Sequence, residues 1–212
     1  MLEQFGSGLV VPIYLAAAYG LPKLAKRLIL DEKDVYRTTI WGQQPLHYAA
    51  RLPCGQQKLN MCELLFKNGA DANFQYDDED SGAETPFHVL LTVDPTIDSV
   101  QLFLKYGAEY SVLSRRHGWA AEHYFATYGT DVEVLEALVA QDVNINVKDT
   151  EGEIPLHKLV RRSDLDPGLL RAFIRKGAII DQNDKASQSE LDNFNSMPRD
   201  VFILTKSARS AF

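Results

Sequence analysis

Pro45-Leu46-His47-Tyr48-Ala49-Ala50, followed at a short distance by Leu64-Leu65-Phe66-Lys67-Asn68-Gly69-Ala70-Asp71-Ala72-Asn73, is the stretch on which the fold turns. Its first phrase returns as Pro12-Ile13-Tyr14-Leu15-Ala16-Ala17, as Pro86-Phe87-His88-Val89-Leu90-Leu91 and as Pro155-Leu156-His157-Lys158-Leu159-Val160. A weaker copy reads Ala121-Glu122-His123-Tyr124-Phe125-Ala126, and a last start is Pro198-Arg199-Asp200. Successive starts lie 33, 41, 35, 34 and 43 residues apart. The second phrase returns as Leu102-Phe103-Leu104-Lys105-Tyr106-Gly107-Ala108, in the segment Leu138 to Asn146, and as Phe173-Ile174-Arg175-Lys176-Gly177-Ala178, with a divergent first copy at Leu28 to Glu32. Two linked phrases repeating at this period are the signature of a solenoid.

Each phrase has a local physical meaning. Proline at the first helical position has no intrahelical N–H to lose and already holds the helical φ, so the first phrase starts a short helix. A second helix in each unit is marked by Pro22, by Asp94-Pro95, by the Thr130-x-x-Glu133 capping pattern and by Asp166-Pro167. Gly69, Gly107 and Gly177 stop those helices, where a left-handed residue is needed. Each unit is therefore helix, turn, helix and an extended hairpin. Neither helix can bury its apolar face alone, so neighbouring units must stack into one core. Ala16, Ala17, Ala49 and Ala50 allow the close approach this demands. Extra residues fall in loops: 51–58, the hairpin with Asp77-Asp78-Glu79-Asp80, and the linker from Ile179 to Met197.

The two phrases resemble the ankyrin repeat, with Thr-Pro-Leu-His at its first helix and Leu-Leu-x-x-Gly-Ala-Asp-x-Asn after its second. The resemblance runs from about Leu9 to Asp200. It implies an all-α solenoid of helix-turn-helix units joined by β-hairpin loops. Five repeats are expected near residues 9, 42, 83, 118 and 152, with a partial sixth near 195, all within one domain covering 1–212. Only Thr85 keeps the threonine of the motif; Val11, Gln44, Ala120, Ile154 and Met197 replace it. A lost cap costs about 1 kcal/mol, so this array is expected to be less stable than one of consensus sequence. The short sixth start and the lack of a polar cap before the first repeat suggest either a piece of a longer protein or capping by helices that the repeat pattern does not mark.

A net charge of −7 argues against the clustered positive field that binds nucleic acid backbones. The longest apolar run, Leu9 to Tyr19, is too short to span a bilayer and contains Pro12. No membrane association is expected. Cys54 and Cys62 match no zinc or redox spacing, which fits a reducing compartment, the cytoplasm or nucleus.

His47, His88, His123 and His157 occupy one repeat position, and the resemblance implies that they tie adjacent hairpins together through backbone hydrogen bonds. Spaced along a stack by about 10 Å, they could not share a metal ion that binds at about 2 Å. Only His117 is off this pattern. Phosphate loops, nucleophile elbows and zinc-protease motifs are absent from the sequence, so no catalytic residue, cofactor or metal is nominated and an enzyme is not expected. The Asp77 to Asp80 run reads as a solvated loop tip. The resemblance further implies binding of a partner protein through hairpin tips and the exposed side of the first helices. The matching positions are Trp41, Tyr48, Arg51, Arg115, Arg116, Tyr124, Tyr128, Lys158, Arg161 and Arg162. Tyr, Trp and Arg are the types that carry interface energy. The basic residues gather toward the C-terminal half, which points to an acidic or phosphorylated segment on the partner. The expected role is a monomeric, non-catalytic interaction or scaffolding module of the kind used in signalling. A regulatory subunit masking another protein's active site and a small-ligand sensor are the alternatives.

Overall fold

A computed structural model of the chain describes residues 11–30, 32–39, 41–76, 83–139 and 143–179. These residues form five helix pairs in chain order. They are α1 Val11–Ala18 with α2 Pro22–Leu28, α3 Pro45–Ala50 with α4 Gln56–Lys67, and α5 Pro86–Thr92 with α6 Ile97–Lys105. Then follow α7 Ala121–Tyr128 with α8 Val132–Leu138, and α9 Pro155–Val160 with α10 Pro167–Arg175. The first helices form an inner row in which α1 packs on α3, α3 on α5, α5 on α7 and α7 on α9; the second helices stack likewise into an outer row. A single apolar core runs through the described residues from Ala16 to Ala178. Phe87, Phe103, Phe125 and Phe173 lie within it with no exposure, and Ala16, Ala17, Ala49 and Ala50 are equally sealed.

Helix ends follow the sequence in most places and depart from it in two. Gly107 has φ +83°, the Ala108 N–H bonds the Phe103 carbonyl at 3.0 Å, and the Gly107 N–H bonds that of Leu104 at 3.0 Å. This is the six-to-one and five-to-two pattern that closes a helix on a left-handed residue. Asp166 caps α10 by accepting from the Gly168 N–H at 2.9 Å. The cap of α6, however, is Thr96 and not Asp94: Thr96 Oγ1 accepts from the Ser99 N–H at 3.3 Å. The Thr130 box is likewise replaced by Asp131, whose carboxylate takes the Glu133 N–H at 2.8 Å. A carboxylate is favoured there by the positive end of the helix dipole.

The expected hairpins are simple turns. Thr39 N–H bonds Gln43 O and Gly42 N–H bonds Thr39 O, both at 2.9 Å, and the tip at Asp149 to Glu153 closes in the same way. Too few residues pair to make a ladder, and no strand occurs among the described residues. No helix among them is long and apolar enough to cross a membrane. The partial sixth unit at Pro198, the Asp77 to Asp80 run and the linker beyond Ile179 lie outside the described residues.

Candidate functional site

The inner helices place their histidines identically. Nδ1 of His47, His88, His123 and His157 accepts from the N–H of the residue just before each helix: Gln44, Thr85, Ala120 and Ile154, at 3.1 to 3.3 Å. With Nδ1 accepting, the ring proton sits on Nε2, which donates to a carbonyl of the next hairpin. His47 reaches Glu84 at 3.2 Å, His88 reaches Val112 at 2.9 Å and His123 reaches Glu153 at 3.0 Å. Burial holds His47 and His88 down to about 4, and lowers His123 from its ordinary value. Neutral rings buried in this way are fasteners between units. His117 is different: it is exposed at a tip, where its carbonyl accepts from the Thr150 N–H at 3.0 Å.

A family model described as ankyrin repeats in three copies matches residues 13–114. The chain carries ankyrin repeats. The later helix pairs, α7 with α8 and α9 with α10, repeat the same histidine fasteners. Asn73 and Asn146 add a second periodic tie, bonding Gly107 O and Gly177 O at 2.8 Å each. Ankyrin repeats are generally protein–protein interaction modules, and their family is typically non-enzymatic.

The ankyrin fold separates the nominated residues into two groups. Trp41 is 40% exposed beside the Gly42 turn, and Tyr128 is 48% exposed at the end of α7. Arg51 is exposed on the inner row; its guanidinium lies 5.9 Å from the Tyr48 ring and donates to Gln43 Oε1 at 2.9 Å. Tyr48 itself is partly buried, edge-on to Tyr14 at 5.6 Å. Arg115 and Arg116 are exposed at the tip between α6 and α7.

The second group is turned inward. Tyr124 is 2% exposed, stacked on His88 at 4.6 Å and met edge-on by Trp119 at 5.3 Å, so it is a core residue and not a contact for a partner. Arg162 reaches back to bond the Gly129 carbonyl and, at 3.0 Å, Asp164; its side chain is only 10% exposed. Lys158 lies over the Trp119 ring at 5.1 Å and pairs with Asp149 at 2.9 Å and with Glu153. Arg161 grips Glu153 through two bonds at 2.7 and 2.5 Å. The side chains of Glu153 and Lys158 are each 11% exposed, whereas Arg161 keeps 42%. The C-terminal basic cluster is therefore neutralised largely within the chain.

Asp149, Glu151 and Glu153 bring three carboxylates close enough to face one ion. The Lys158 ammonium already stands among them, 2.9 Å from Asp149 and 3.7 Å from Glu151, and Trp119 Nε1 donates to Asp149 at 3.1 Å. The group is an internal ion-pair network. Its cations hold Glu153 down to about 2.

Sequence reasoning passed over Glu122. It stands at the second position of the repeated phrase, where the other units have Ile13, Leu46, Phe87 and Leu156. The mismatch was visible as an acidic residue in an apolar column.

Proposed function

We propose that the array binds a partner protein along a strip formed by the tips near Trp41 and Arg115-Arg116 and by the inner-row positions Tyr48, Arg51, Tyr128 and Arg161. The observation that carries this reading is the exposure of large aromatic and arginine side chains at the tips and on the inner helices, with Trp41 40% and Tyr128 48% exposed. Such residues form the anchors of interfaces far more often than the rest of a surface. Arg51 is already ordered over Tyr48, so less side-chain freedom is lost when a partner covers it.

An acidic or phosphorylated segment of the partner would meet Arg115 and Arg116, where two guanidinium groups project from one turn. Arg161 can join only by sharing Glu153. Lys158 and Arg162 support this face from beneath. The protein acts as a monomer in this reading, in a reducing compartment where the free thiols of Cys54 and Cys62 persist.

Affinity capture with the purified array, repeated with Trp41→Ala, Arg51→Glu and the double variant Arg115→Glu/Arg116→Glu, tests the proposal. Recovery of the partner is expected to drop at least tenfold with the double variant and with Trp41→Ala, a loss of about 1.4 kcal/mol each. Undiminished recovery with all three variants rejects the face.

A further inference from the structure

The second residue of each repeated phrase points into the core. Leu46, Phe87 and Leu156 have no exposure there, and Ile13 has 4%. In α7 the residue is Glu122, and it is just as buried at 1%. It cannot swing outward, because its neighbours are pinned: the Ala121 N–H bonds Tyr110 O at 3.3 Å and His123 is fastened at both ring nitrogens. The fold thus carries a carboxyl group where its pattern requires hydrocarbon. Glu122 Oε1 has no hydrogen-bond partner. Such a group is normally paired or replaced.

Glu122 lines a cleft of about 460 Å³ whose other walls include Tyr110, Leu113, Val143 and Val147. That volume lies in the range of about 300 to 1,000 Å³ typical of small-ligand sites, and apolar walls with a few polar groups, here Tyr110, Ser111, Glu122 and Asn144, are their usual chemistry. We propose that this cleft binds an organic cation, an ammonium or guanidinium carried on a compact apolar body, with Glu122 as its counter-ion.

An ionised carboxylate offers only acceptors, so the group it selects must donate. Tyr110, Ser111 and Asn144 are the cleft's other polar side chains, and Asn144 Oδ1 already accepts from the Asn146 N–H at 3.0 Å, whereas an alkyl or aryl body buries surface against Leu113, Val143 and Val147. Burial holds the Glu122 carboxyl up to about 7, so it is only partly ionised near neutral pH and a bound cation draws the remaining proton off. Of the cleft's other lining residues, Tyr110 is the titratable one; its phenol is raised first by burial and then by the Glu122 charge, which places the two groups close together. None of the exposed residues assigned to the partner face lines this cleft, so the site stands or falls independently of that reading.

The test uses backbone amide shifts of the whole chain at pH 7.5, titrated with phenethylammonium and with its neutral analogue 2-phenylethanol. In the wild type the cation should move the amides of Leu113, Val143 and Val147 and bind about tenfold more tightly than the alcohol, the discrimination expected of one hydrogen-bonded ion pair. Glu122→Gln keeps the shape and should erase that preference; Glu122→Leu removes the acceptor and should weaken the cation far more than the alcohol. A short peptide with a lysine, compared with its norleucine counterpart, separates the sources. Lysine-dependent binding tighter than that of the free amine identifies a partner side chain, and weaker binding identifies a free small molecule. Equal affinity of the wild type for cation and alcohol, absence of binding by either, or a preference retained in Glu122→Gln would overturn the proposal.

Discussion

His88 ties its own helix to the following unit by donating from Nε2 to the Val112 carbonyl at 2.9 Å while Nδ1 accepts from the Thr85 N–H. A second proton on the ring would break the Nδ1 bond and place a charge in the core. His47 and His123 repeat the arrangement, so a property of one residue becomes a property of the stack.

The folded chain should therefore be sensitive to mild acid. The folded values of His47 and His88, about 4, lie below the ordinary 6.5, and His123 is shifted the same way. The unfolded chain then binds more protons, so this contribution is complete above pH 6.5 and is lost as pH falls toward 4. Glu122 works in the opposite sense: raised to about 7, it costs stability as pH rises from 4.5 to 7. Three rings outweigh one carboxyl. Urea midpoints at pH 7.5 and pH 5 should differ, with a loss at pH 5 of about 2 kcal/mol for each of His47 and His88, a further loss from His123 and a partial offset from Glu122. A midpoint that holds steady over this range contradicts the assignment of neutral fasteners.

Lys158→Met should destabilise the last two units. It leaves Asp149, with a side chain 1% exposed, and Glu153 facing each other with Arg161 as the remaining nearby cation. Removing one partner of a largely buried network costs about 2 to 3 kcal/mol. Asp149 and Glu153 are both held below their ordinary values, so their contribution is present above about pH 4.5 and disappears as pH falls toward 2. The variant's acid transition should move to higher pH, which an acid titration followed by circular dichroism would show.

Two glycines should fail for different reasons. Gly107 sits at φ +83° with open space where a Cβ would go, so Gly107→Ala should cost about 1 kcal/mol through backbone conformation alone. Gly129 has an ordinary φ of −73°, yet a Cβ there would lie 2.2 Å from the Phe125 ring. Phe125 has no exposure and cannot retreat, so Gly129→Ala should be the more damaging of the two by thermal melting.

Tyr124→Ala and Trp41→Ala should separate stability from binding. Removing the 2% exposed Tyr124 ring takes away its stack on His88 and should cost about 3 kcal/mol or more. Trp41→Ala should change stability by less than about 1 kcal/mol and act on partner recovery instead. A large drop in melting temperature for Trp41→Ala would assign that ring to the fold.

The repeat architecture was legible because its determinants are local. Proline starts, glycine stops and alanine pairs act within a few residues, and their recurrence along the chain already requires stacking. Two boundaries misread from sequence, at Asp94-Pro95 and Thr130, lie where adjacent residues compete to cap and only geometry chooses Thr96 and Asp131. Exposure was another matter. Tyr48 and Tyr124 hold the same place in the repeated phrase, yet Tyr48 keeps part of its surface whereas Tyr124 is sealed by His88 and Trp119. Lys158 looked like a free cation until Asp149 and Glu153 arrived from the neighbouring tip.

The order of residues by itself determined that this chain folds as stacked helix pairs, because helix starts, stops and apolar columns are written into each unit. Tertiary structure alone decided which aromatic and basic side chains face outward, and that Glu122 opens on a cleft. Burial is set by whichever residues the adjacent unit brings alongside, as where His88 meets Tyr124, and the pairing of Lys158 by how the tip from Asp149 to Glu153 folds back onto α9.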